Sequence, residues 1–214
     1  AVYSDKSQAT DPNISGMVSN RWKTGIGEVG ALLGLSQQQH RYHEERAFST
    51  APVDKSFLSP GLTGPDQVGL LPIKGDRRRT TANGVLQWRP NADVELYAEG
   101  MATRFLLDAE SDYFVGLPWW GTPVSATKIP GTNQLQTLTS TNVNTIMSTQ
   151  ANKNQTKTHQ FAVGGLWDIN PEWRFTSEVA STKSTYGWRN PILDAITVVP
   201  NARINTNQNG TLHV

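Results

Sequence analysis

One stretch limits what this chain can become more than any other. Thr80 to Phe105 reads TTANGVLQWRPNADVELYAEGMATRF, two long alternating runs joined by Pro90-Asn91-Ala92-Asp93. Ala82, Gly84, Leu86 and Trp88 share one parity, continued after the turn by Val94, Leu96, Ala98, Gly100 and Ala102. Thr81, Asn83, Gln87 and Arg89, then Glu95, Glu99 and Thr103, fill the other, with Val85, Tyr97 and Met101 as exceptions. A period of two marks strands with one apolar and one polar side. What remains open is whether a second sheet or lipid meets the apolar side.

The pattern recurs. Ile14, Gly16, Val18 and Trp22 share a parity, and after a turn at Lys23-Thr24-Gly25 so do Val29, Ala31, Leu33 and Leu35. A third hairpin covers THQFAVGGLWDINPEWRFTSEVAST, turning at Ile169-Asn170-Pro171-Glu172. Phe161, Val163, Gly165, Trp167 and Ile169 take one face with Trp173, Phe175 and Val179. Residues 47–76, 106–155 and 189–214 lack periodicity and are expected to be long loops. The expectation is therefore all-β: antiparallel up-and-down strands, about six in number, with tight turns alternating with long loops through residues 1–214.

Composition narrows the partners. The net charge of +1 gives no electrostatic case for nucleic acid. The absence of cysteine excludes disulfides and thiolate metal sites. No run approaches the ~18 apolar residues of a membrane helix, but alternating barrel strands escape that test.

Three features favour lipid over a second sheet. The strands run about 11–15 residues, against roughly 5–6 in soluble sheets, and at a tilt near 45° span roughly 25–30 Å. Trp22, Trp88, Trp167 and Trp173 each lie near a tight turn on the apolar parity, as in an interfacial aromatic girdle. The mid-strand apolar positions are instead small (Gly84, Ala98, Gly100, Ala31, Val163, Gly165) and would fill a two-sheet core poorly. Third, short turns alternate with long loops, the habit of outer-membrane barrels with their short periplasmic turns and long external loops. The alternative is a soluble extracellular β-sandwich, a carbohydrate-binding or adhesin-like module.

The segments YSDKSQATDPNISGMVSNRW, GEVGALLGLSQQQHRYHEE, RRRTTANGVLQWRPNADVELYAEGMATRF and THQFAVGGLWDINPEWRFTSEVAS, in this order and spacing, resemble the barrel of TonB-dependent outer-membrane receptors, in particular the subgroup typified by xanthomonads and caulobacters. The resemblance implies a 22-stranded transmembrane barrel in the bacterial outer membrane, with long extracellular loops and a plug. It implies uptake of a scarce ligand, whether metal chelate, vitamin or oligosaccharide, energised by a TonB-type inner-membrane partner. Six strands cannot close such a barrel, and neither the plug nor the coupling segment has a counterpart here. The chain is thus expected to be a fragment, contacting that partner only through segments outside it.

Candidate site residues follow. Gln87, Glu95, Glu99, Arg174 and Glu178 would face the lumen. Tyr113, Phe114, Trp119 and Trp120, in an expected loop, suggest stacking on a ligand or a loop packed on its own aromatics. Arg77, Arg78 and Arg79 read as a solvated strand end or a contact to lipopolysaccharide phosphates. His40 and His43, beside Glu44 and Glu45, point to opposite faces if extended and read as a solvated strand top. Gly25-Ile-Gly27-Glu-Val-Gly30 matches a dinucleotide fingerprint in letters, but no buried strand precedes it. Glu95 and Glu99 stand ~13 Å apart, beyond the ~5–9.5 Å of a glycosidase pair. No catalytic set, metal site or cofactor is expected, and the chain reads as a non-enzyme.

Overall fold

Each alternating stretch folds as strand, and strand extends well past them. The computed structural model describes residues 2–206 and 212–213. In order the strands are β1 (Val2–Ser4), β2 (Ala9–Asp11), β3 (Asn13–Thr24), β4 (Gly27–Ser49), β5 (Pro52–Asp54), β6 (Thr63–Pro65) and β7 (Val68–Arg89). There follow β8 (Val94–Leu117), β9 (Thr122–Lys128), β10 (Leu135–Asn170), β11 (Trp173–Arg189), β12 (Ile192–Thr206) and β13 (Leu212–His213). One 3-10 turn, Pro118–Trp120, is the only helical element among the described residues. Among the described residues, nine of the strands form one antiparallel sheet.

The segments expected to be loops are largely strand. β4 runs on to Ser49, β5 pairs with β6, and β7 starts at Val68, so 47–76 holds only short irregular connections. β8 continues to Leu117 and β10 begins at Leu135, with β9 between them paired to β10. β12 occupies 192–206, while the end of that expected loop lies mostly outside the described residues. A ladder needs only backbone N–H and C=O groups, whereas alternation reports a difference between faces. Where Thr, Asn, Gln and Ser fill both faces, the period vanishes although Thr and Val still favour extended backbone.

The chain divides into two compact units. Unit 1 comprises Ala1–Tyr42, Gly75–Asp108 and Lys153–Arg189. Its sheet has the order β3-β4-β7-β8-β10-β11, the six strands read from the sequence, and the β1–β2 hairpin belongs with it. Register confirms the shared faces. Trp22 lies opposite Val29 and Val18 opposite Leu33. Trp167 lies opposite Phe175 and Val163 opposite Val179. Leu33, Leu35, Leu86, Phe161, Val163, Phe175 and Val179 are all exposed, and among the described residues of this unit the only buried hydrophobic ones are Ala9 and Ala162. Every residue of β3 and β11 is exposed.

Unit 2 comprises His43–Lys74, Ala109–Asn152 and Asn190–Val214. It does contain a core: Leu62, Val68, Leu135, Leu138 and Ile204 pack together, with Leu58, Trp119 and Ala126 against them.

Candidate functional site

The polar face of unit 1 is organised from its turns upward. Asn91 Oδ1 accepts the N–H groups of Asp93 and Val94 at 2.9 and 3.0 Å. Asn170 Oδ1 does the same for Glu172 and Trp173, both at 2.9 Å. These side-chain turns fix where each second strand starts. Just above them, Glu95 accepts from Gln87 and from the Arg89 guanidinium. Asp168 accepts from Arg174, its direct cross-strand partner. Both pairs are part-exposed and worth little individually. Higher on the same face the Tyr97 hydroxyl donates to Glu178 at 2.6 Å, above Gly164, where a Cβ would stand 2.4 Å from the phenol ring. Glu99 lines a hollow with Asn83 and Gln160. The lumen candidates Gln87, Glu95, Glu99, Arg174 and Glu178 thus occur on one sheet, but Gln87–Glu95, Arg174–Asp168 and Glu178–Tyr97 are separate pairs, Glu99 joins none of them, and no single constellation forms.

Beyond these pairs lies an arrangement that reading for motifs missed. The Arg77 guanidinium carbon sits 4.4 Å from the centre of the Tyr42 ring, and that of Arg79 lies 5.7 Å from the centre of Phe105. His40 stacks on Tyr42 with ring centres 6.0 Å apart. The usable signal was parity: Arg77 and Arg79 share the face of Asn83 and Gln87, whereas Arg78 does not.

Asp11, fully buried, anchors the β1–β2 hairpin to β4. It accepts the Arg41 amide at 2.6 Å and Arg41 Nε at 2.7 Å, with His40 Nδ1 4.0 Å away. Burial pushes its carboxyl upward, but the Arg41 amide and guanidinium, helped by His40, outweigh this and hold it below the usual aspartate value.

On the apolar face, Trp22, Trp88, Trp167 and Trp173 are all exposed, from 38% at Trp88 to 67% at Trp173. The Trp88 indole N–H donates to the Ile26 carbonyl.

The four aromatic candidates of unit 2 separate. Tyr113 and Phe114 lie on β8, Trp119 and Trp120 on the 3-10 turn. Trp119 packs on the core, donates to the Pro65 carbonyl at 2.6 Å, meets Phe57 edge-on and lies 4.9 Å from Lys55 Nζ. Trp120 is 71% exposed. Among the described residues, no three His, Cys, Asp or Glu side chains could hold a metal. The glycine run opens β4, with no helix after it.

No family model matches the chain, and no curated protein matches it.

Proposed function

We propose that this chain forms part of the wall of a TonB-dependent receptor barrel in a bacterial outer membrane, serving ligand uptake. One observation carries the reading: the sheet of unit 1 has a complete apolar face that nothing in its own unit covers. Leu33, Leu35, Leu86, Leu96, Phe161, Val163, Phe175 and Val179 stand along it, with tryptophans beside the turns. Apolar exposure on this scale is found on surfaces meant for lipid or for another protein. The other face is polar and internally paired, as a water-filled lumen demands. The resemblance of the four quoted segments adds the family to the architecture.

The test is depth-resolved tryptophan quenching. The chain is refolded into vesicles whose lipids carry bromine or nitroxide at defined acyl positions. Quenching of Trp22, Trp88, Trp167 and Trp173, read in single-tryptophan variants, is expected to be strongest near the headgroup boundary. A monodisperse protein in plain buffer whose tryptophans are untouched by lipid quenchers overturns the reading and favours the sandwich module.

A further inference from the structure

Arg77 and Arg79 are two guanidiniums with no acidic partner among the described residues. Residues i and i+2 of a strand project from the same side, roughly 6.6 Å apart. Each guanidinium lies against an aromatic ring, Tyr42 for Arg77 and Phe105 for Arg79. A ring beneath the planar group restrains it while leaving N–H edges free, which suits bidentate recognition of carboxylate or phosphate. Among the described residues neither has a hydrogen-bond or ion-pair partner. Neighbouring acids are already engaged. Asp76 takes Arg78 at 2.6 and 2.9 Å together with the Gln39 amide. Asp11 takes Arg41. Both arginines and His40 line one cavity of about 280 Å³, with Phe105 as its apolar wall.

We propose that this cavity is an anion subsite on the polar face, taking a ligand with two nearby carboxylate or phosphate groups. The site deepens the transport reading by giving the ligand an anionic end, and rests on that reading only in calling the polar face a lumen. Arg89, on the same strand but outside the cavity, has its guanidinium committed to Glu95 and makes a matched control for charge.

The experiment measures pyrophosphate and citrate binding by calorimetry on the full chain in detergent micelles, with glucose as a neutral control. Arg77→Gln and Arg79→Gln should each weaken anion binding roughly tenfold, the loss expected for a hydrogen bond to a charged partner. Arg89→Gln should leave it within about twofold, and circular dichroism must show all three equally folded. Vesicles with and without lipopolysaccharide separate the lipid source from the soluble one. Unchanged affinity in Arg77→Gln/Arg79→Gln overturns the subsite. So does equal loss in Arg89→Gln, or Arg77- and Arg79-dependent binding to lipopolysaccharide alone. Anion binding by a protein that ignores lipid keeps the subsite and fails the membrane reading.

Discussion

The Trp88 indole N–H donates to the carbonyl oxygen of Ile26 across 2.9 Å, tying the end of β7 to the turn between β3 and β4. The ring stays on the apolar face while its one polar group is satisfied inside the protein. Trp88→Phe keeps most of the apolar area and removes only the donor. We expect a loss of roughly 1 kcal/mol, read as a lower urea midpoint with unchanged slope in detergent. An unchanged midpoint would mean that solvent serves the carbonyl equally well.

Gly27 is the one glycine of the fingerprint-like run whose identity the backbone dictates. Its φ is +111°, and a Cβ there would stand 2.2 Å from the Arg89 carbonyl oxygen. Gly27→Ala should cost about 1–3 kcal/mol from the dihedral alone, and more from the collision. Gly25→Ala, with open space around its Cβ position, should be near neutral. Comparing the two by thermal unfolding isolates the effect. It also means that any loss of nucleotide binding in Gly27→Val would report folding damage, not a phosphate loop.

Unit 1 was legible because its two faces differ. Trp22 with Val29 and Trp167 with Phe175 sit opposite each other, as parity demanded. The strands of unit 2 were not legible because nothing in LQTLTSTNVNTIMSTQ alternates, and the backbone pairs regardless. The crowding at Gly27 was invisible too, since it comes from Arg89 and Pro90, far away in sequence. The Trp119 contacts were hidden likewise: Lys55, Phe57 and Pro65 reach it through tertiary folding. The anion subsite was half legible: the arginine triplet stood out, but its division into two faces needed the strand to be seen running through it.

Asp11 makes the attachment of β1–β2 sensitive to acid. Its folded-state pKa is depressed, so its contribution is present above the unfolded value of about 3.9 and lost as pH falls through the folded value. The facing groups are Arg41 and His40, both on β4. The stability gap between the unmodified chain and Asp11→Ala should therefore be constant near neutral pH and close below about pH 3.9. Denaturant titrations across that range measure it, and a gap that persists at pH 2 refutes the assignment.

Trp119 and Trp120 are neighbours with opposite expectations. Trp119→Ala removes a ring packed on the unit 2 core and should cost about 3 kcal/mol. Trp120→Ala removes an exposed ring and should be silent in thermal unfolding. Were either tryptophan to stack on a ligand, Trp120 is the one whose loss can lower affinity without lowering stability.

The turns at Asn91 and Asn170 share one device and are coupled. Each Oδ1 accepts two backbone N–H groups, and the Asp168 N–H donates to the Asp93 carbonyl at 2.8 Å, joining one hairpin to the next. Asn170→Ala should cost roughly 1 kcal/mol, and Asn170→Asp, which retains the acceptor, should recover most of it. Asn91→Ala frees Asp93 and so also loosens its hold on Asp168. The pair should therefore depart from additivity by about 0.5 kcal/mol or more. Strict additivity in the double-variant cycle would mean that the two turns fold independently and that the Asp168–Asp93 bond contributes nothing to their registration.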